Sequence, residues 1–250
     1  MTDGVVEADG VRLHYSDSGG HDVLGVPVIL VHGMGGDGHT WDALARTLIR
    51  RGRRVVVLDL RGHGRSGRAT RYLFEDFGLD IEALLDHLKL TRVDMVGHSL
   101  GGHAATLVAQ RRPDVVRKLV LEEAPLPIRP GDPPPTITTK LPSARELLHA
   151  TTSAIRHPRA AIAFDRSMMS SALAQFRAPD GRWWDALSGI DADVLVVVGG
   201  PTGMVDRGRL DAMTALVPTS RVIAVDSGHS VHRDRFREFE AAVGPFLSAS

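Results

Sequence analysis

A chain of 250 residues, 43% hydrophobic and 24% charged, is long enough for one large α/β domain and does not require two. Its 30 basic residues balance its 30 acidic ones, so no global field favours nucleic acid or an anionic membrane. It holds no cysteine, which excludes disulfides, thiol catalysis and Cys-ligated zinc or iron–sulfur sites.

Met1 to Gly10 is acidic and lacks the apolar stretch of a secretory signal, and no apolar run approaches the roughly 20 residues of a membrane span. A cytoplasmic protein without membrane insertion is expected. Val5 to Ala8 and Val11 to Ser16 alternate apolar and polar residues around Asp9-Gly10, the pattern of a β-hairpin. Val26 to Val31 is a continuous apolar run rich in β-branched residues and reads as a buried strand, followed by a helix over Trp41 to Arg50. Val55 to Leu58 is a second buried strand, Phe77 to Leu88 a helix, and Val93 to Val96 a third strand. A helix then runs over Leu100 to Arg111, with Pro113 beyond its end. Strands are expected over Val116 to Leu121, Val194 to Val198 and Arg221 to Val225, and a closing helix over Phe236 to Leu247.

Strands alternating with helices imply parallel crossovers and a sheet covered on both faces. Residues 126–190 break that rhythm. They open with the Pro-rich stretch Pro125 to Pro135 and continue with helix-like pieces carrying Leu147, Leu148, Ile155, Ile162, Phe164, Met168, Met169, Leu173 and Phe176. The expected organisation is an α/β core over residues 1–125 and 191–250, with a small helical lid over 126–190. Trp183 and Trp184 stand where the lid returns, as core, hinge or pocket residues.

The most specific motif is Gly97-His98-Ser99-Leu100-Gly101, a G-x-S-x-G placed between a strand and a helix. This is the pattern of a nucleophile elbow, a turn so sharp that its central hydroxyl projects outward. A serine hydroxyl is a poor nucleophile near neutral pH. It needs a base, a group that orients the base, and donors for the oxyanion. His229 follows the last strand, so it reaches the same sheet edge as Ser99 and is the base candidate; His232, one turn on, is expected to be exposed. The oxyanion donors are expected from the N–H of Leu100 and that of Met34, in the Gly-rich loop His32-Gly33-Met34-Gly35-Gly36.

The acid is less determined. Gly199-Gly200-Pro201-Thr202-Gly203, after the penultimate strand, has no carboxylate, and Thr202 stands where one is expected. Glu122 and Glu123 end the strand over Val116 to Leu121, and alternation sends them to opposite faces, so only one can serve. Glu123 is favoured, then Asp206, then Glu122; the glutamate left over is expected to pair with lid arginines. Asp59-Leu60-Arg61-Gly62-His63-Gly64-Arg65-Ser66 reads as a tight loop of site architecture.

Four motifs, His32-Gly33-Met34-Gly35-Gly36, Asp59 to Ser66, Gly97 to Gly102 and Gly228-His229, carry a resemblance to the α/β-hydrolase fold over essentially the whole chain. That resemblance implies an eight-stranded, mostly parallel sheet with a cap after the sixth strand. It also implies an acid most often after the seventh strand, which this chain does not match. Some members carry the acid after the sixth strand, where Glu123 lies. Serine at the elbow disfavours the epoxide hydrolases and haloalkane dehalogenases of this fold, which use aspartate there. The expected activity is hydrolysis of a carboxylic ester, lactone or related carbonyl bond, needing no metal or organic cofactor, on a partly apolar small molecule. Two rivals remain. Gly33 to Gly38 literally matches the dinucleotide-binding G-x-G-x-x-G, with Asp59 about 20 residues on, but that reading leaves the elbow unexplained. The other is a non-hydrolytic protein of the same fold, a ligand receptor or a cofactor-free lyase or oxygenase. Substrate identity and oligomeric state are not encoded in any of these motifs.

Overall fold

The computed structural model describes residues 1–20, 25–132, 151 and 163–248. An eight-stranded sheet runs in the order β1-β2-β4-β3-β5-β6-β7-β8. Its strands are β1 (Thr2–Ala8), β2 (Val11–Asp17), β3 (Val28–Val31), β4 (Val55–Leu58), β5 (Val93–His98), β6 (Val116–Glu122), β7 (Asp193–Val198) and β8 (Ser220–Ala224). β1 and β2 form an antiparallel hairpin whose turn places Asp9 and Gly10 at positive φ (48° and 71°), and β2 pairs antiparallel with β4. The remaining neighbours, from β4 through β8, pair in parallel.

Helices of the described residues include α1 (Asp42–Arg50), α2 (Phe74–His87), α3 (Leu100–Arg111), α4 (Met168–Arg177), α5 (Gly181–Asp185), α6 (Arg207–Leu216), α7 (Val231–Asp234) and α8 (Phe236–Ser248). The sequence places every strand. β3 starts two residues later than expected, β5 runs on to His98, and α2 starts three residues earlier, at Phe74. Among the described residues, no helix is long and apolar enough to cross a membrane.

Strand alternation divides the core cleanly. Ile29, Val31, Val93, Met95, Leu119 and Leu121 face one layer with α2 and α3. Val28, Leu30, Val96 and Val120 face the other, with Trp41, Leu44, Val231 and Phe239. This parity decides the placement of polar residues at the strand ends. His98 and Glu122 continue the Val96 and Val120 series and so enter the Trp41 layer. The outer strand β8 differs from the other parallel strands: its residues Arg221 to Ala224 are exposed, as befits a sheet edge.

Between β6 and β7, α4 and α5 fall within the stretch expected to form a lid, whereas Leu147, Leu148, Ile155 and Ile162 lie outside the described residues. Trp183 and Trp184 are both buried. The Trp183 ring lies parallel to that of His103 at 5.9 Å, and the Trp184 indole N–H donates to the Pro127 carbonyl at 3.0 Å. Both therefore anchor the chain's return to the sheet.

Candidate active site

The carboxyl ends of the parallel strands gather the site. Ser99 stands between β5 and α3 with φ 49° and ψ −120°, a backbone conformation that costs of order 1–3 kcal/mol in a non-glycine residue. The turn is possible only because its flanks are bare. A Cβ at Gly97 would lie 2.5 Å from the Gly101 carbonyl oxygen, and one at Gly101 would collide with the backbone oxygens of Val31 and His32. A Cβ at Gly33 would meet His98 Nδ1 at 2.6 Å and the Ser99 Cβ at 3.0 Å, so the β3 loop lies directly against the elbow.

That loop is held from behind. Gly36 N–H donates to the Gly33 carbonyl (3.1 Å), closing a turn with Gly35 at φ 76°. Gly35 N–H donates to His63 Nε2 (3.0 Å), and His63 Nδ1–H donates to the Arg61 carbonyl (2.9 Å). His32 Nε2 accepts from Leu60 N–H (3.1 Å) and its Nδ1–H donates to the Gly33 carbonyl (2.8 Å). Each imidazole thus has one nitrogen that must carry a proton and one that must not, which fixes a neutral tautomer. The Asp59 loop supports the same region: its carboxylate accepts from Gly38 N–H (2.7 Å) and Arg65 N–H (3.0 Å). Arg61 makes a buried two-pronged pair with Asp80 (2.6 and 2.7 Å).

Glu123 also has positive φ (47°) and is buried. Its Oε1 accepts from Gly199 N–H (2.6 Å) and its Oε2 from Met204 N–H (2.5 Å). Oε2 also lies 3.5 Å from His229 Nδ1, long for a hydrogen bond but of the right polarity. The carboxyl group therefore sits in the mouth of the loop after β7. A Cβ at Gly203 would overlap Glu123 Oε1, so the glycine there clears the space the carboxylate occupies. Asp206 is spent elsewhere, capping α6 through Arg209 N–H at 2.9 Å.

Glu122 takes a different partner from the one expected. Its oxygens accept from His232 N–H (2.8 Å) and lie 2.7 Å from His232 Nδ1, and among the described residues it pairs with no lid arginine. His232 is not exposed, as the sequence implied, but only 4% accessible, its ring stacked on Trp41 at 4.1 Å. The reason is the parity of β6, which turns Glu122 into the Trp41 layer and gives His232 a buried carboxyl partner there.

Four buried histidines favour the neutral form. Burial, with the neighbouring His32 ring, pushes His63 down to about 3, and burial pushes His103 down to about 4. Burial also lowers His32, against the pull of Asp59, and lowers His98, helped by His229 and His232. The unfolded chain protonates these rings near pH 6.5 and the folded one does not. Stability is therefore full above that pH and falls below it, by about 1.4 kcal/mol per pH unit for each ring still neutral. Urea midpoints should drop steeply from pH 7 to pH 5, and His103→Gln should flatten the slope; equal midpoints at the two pH values would contradict this.

The expected serine, histidine, glutamate and Gly-rich loop thus converge on one sheet edge. The family described as alpha/beta hydrolase fold matches residues 26–161, more than half of the chain. The chain belongs to that family. Over nearly its full length this α/β-hydrolase is similar to 2-hydroxy-6-oxo-2,4-heptadienoate hydrolase of Pseudomonas putida, 29% identical across 98% of this chain and 96% of the relative. It is also similar to the sn-1-specific diacylglycerol lipase ABHD11 of Mus musculus, 28% identical across 88% of this chain and 80% of the relative. Among solved structures, the enol-lactonase of Burkholderia xenovorans superposes with a TM-score of 0.78 at 22% identity, covering 98% of this chain and all of that one, a likeness of fold. The expectation of an α/β-hydrolase enzyme stands on these relatives.

Proposed function

We propose that the chain is a serine hydrolase that cleaves a carboxylic ester, lactone or related carbonyl bond through an acyl-enzyme. The observation that supports this most is the contact of His229 Nδ1 with the Glu123 carboxylate, on the same sheet edge as a serine in a strained elbow. In this reading a proton on Nδ1, turned toward Glu123, leaves Nε2 as the free base. His229 Nε2 takes the Ser99 proton as Oγ bonds to the substrate carbonyl carbon, and the same proton passes to the departing alcohol as the C–O bond breaks. Water then attacks the acyl group, giving one proton to His229, and the acid leaves as the proton returns to Ser99. Glu123 orients the imidazole and stabilises its charged form.

The oxyanion is assigned to two backbone N–H groups. Leu100 is the first residue of α3, so its N–H has no intrahelical acceptor and points outward with the positive end of the helix. Met34 occupies the second position of the Gly33–Gly36 turn that His63 holds through Gly35. No step calls for a metal or organic cofactor.

The described part of the expected lid, residues 163–190, lies against the Asp59 loop: the Phe164 ring is 5.0 Å from that of His63, and Asp165 N–H donates to the Gly62 carbonyl at 2.8 Å. The Met34 and Met204 side chains are 37% and 72% accessible and belong to the segments that meet Ser99 and Glu123. They support a partly apolar acyl or alcohol group, in keeping with the lipase named among the relatives. A series of p-nitrophenyl esters of increasing acyl length tests this. The expected result is a burst of one nitrophenol per protein, followed by steady turnover that improves with chain length. No turnover across esters and lactones would overturn the hydrolase reading, and a preference for short charged acyl groups would overturn the apolar site.

A further inference from the structure

His98 is the variable residue of the G-x-S-x-G motif, and the mechanism above gives it no part. It ends β5, and strand parity sends its side chain away from Ser99 into the Trp41 layer. There the ring is wedged between two others, 4.8 Å from that of His229 and 5.1 Å from that of His232. Its Nε2 lies 2.7 Å from the backbone carbonyl of His229. A carbonyl oxygen only accepts, so Nε2 carries the proton and the bond has one direction. The other nitrogen, Nδ1, faces Gly33, where even a Cβ would come within 2.6 Å. One rigid ring therefore touches the oxyanion-loop backbone, adjoins the nucleophile in sequence, and holds the backbone of the base.

The His229 segment is held at its far end as well. Glu122 takes both the N–H and the Nδ1 of His232, three residues on. Neighbouring glutamates at the end of β6 thus grip two histidines on one short segment: Glu123 the imidazole of His229, Glu122 the backbone and ring of His232. Between these grips the carbonyl of His229 is tied to His98. Removing that tie leaves the 3.5 Å contact with Glu123 as the side-chain hydrogen bond of His229 among the described residues.

We propose that His98 is a positioning residue for His229, its Nε2–H bond to the His229 carbonyl fixing the backbone from which the base reaches Ser99. This rests on the serine-hydrolase reading. The test is the rate of Ser99 phosphonylation by a fluorophosphonate, resolved into the limiting rate kinact and the concentration for half-maximal rate KI. Wild type, His98→Leu, His98→Gln and His98→Asn are compared, with folding followed by circular dichroism. Glutamine places an amide donor near the position of Nε2; leucine fills the space without a donor, and asparagine is too short to reach. Displacing a reacting group by about 1 Å costs up to about 100-fold in rate. His98→Leu and His98→Asn should therefore lower kinact by about 10- to 100-fold with KI within about two-fold, and His98→Gln should recover to within about three-fold of wild type. If leucine does not fold, the glutamine–asparagine contrast carries the test. Equal rates in wild type and the donor-less variants, or equal losses with and without a donor, would overturn the positioning role while leaving the hydrolase reading intact. A wild type that does not react at all would overturn the hydrolase reading and the positioning role with it.

Discussion

Ser99→Ala is expected to lower kcat by about 10⁵- to 10⁶-fold while KM stays within a few-fold of wild type. The split follows from what the hydroxyl does. Oγ forms a bond to the carbonyl carbon only as the reaction proceeds, so its loss removes stabilisation of the transition state and little of ground-state binding. The variant should stay roughly 10³-fold above the uncatalysed rate, because in the proposed mechanism the Met34 and Leu100 N–H groups are left to stabilise the oxyanion without the serine. Fold stability should change little, since the alanine inherits the same positive φ that Ser99 bears. Ser99→Gly, with no Cβ to strain that φ, should unfold at higher denaturant than Ser99→Ala. Steady-state kinetics on a p-nitrophenyl ester together with urea melts check both statements; a Ser99→Ala protein retaining a tenth of wild-type turnover would contradict the first.

Glu123→Gln is the second large effect, a loss of about 10³- to 10⁴-fold in kcat. The carboxylate's oxygens accept from Gly199 N–H and Met204 N–H and face the Nδ1 side of His229. An amide must aim its NH₂ at one of these donors. Two donors then face each other in a buried site, which adds about 1–3 kcal/mol of lost stability to the catalytic loss. At the Oε2 position the NH₂ meets Met204 N–H and also faces His229, where it favours the wrong tautomer. Asp206→Asn should leave activity within about two-fold, because asparagine caps a helix as well as aspartate. A large loss from Asp206→Asn with Glu123→Gln near wild type would reverse the assignment.

How far the sequence reveals this site depends on the kind of signal each residue leaves. The strands are legible because runs such as Val55 to Leu58 are apolar on both faces, and only a doubly covered parallel sheet buries both. Ser99 is legible because its turn is sterically impossible without glycine at 97 and 101, so the backbone writes itself into the sequence. Glu123 is only half legible. Parity separates it from Glu122, but that the loop after β7 donates N–H groups to a carboxylate from β6 depends on the approach of two segments 76 residues apart. His232 misleads for the same reason. On sequence it is one of 12 histidines, and nothing local shows that β6 delivers Glu122 to it through the Trp41 layer. The doubled spacing, two adjacent glutamates set against His229 and His232, is the one trace it leaves.

His63 and His98 show a different limit. Both sit inside motifs beside a glycine, His63 between Gly62 and Gly64 and His98 between Gly97 and Ser99, yet each holds a backbone group of the site through a single ring nitrogen. Their tautomers follow from the partners, and the partners come from tertiary packing alone.

The central claim, that Ser99 is a nucleophile activated by His229, is tested most directly by intact mass after brief treatment with a fluorophosphonate. Wild type, Ser99→Ala and His229→Ala are measured side by side. The account predicts rapid addition of one phosphonyl group to the wild type, mapped to Ser99, with no addition to Ser99→Ala and slow addition at most to His229→Ala. Unmodified wild type, or equal labelling of all three proteins, would contradict it.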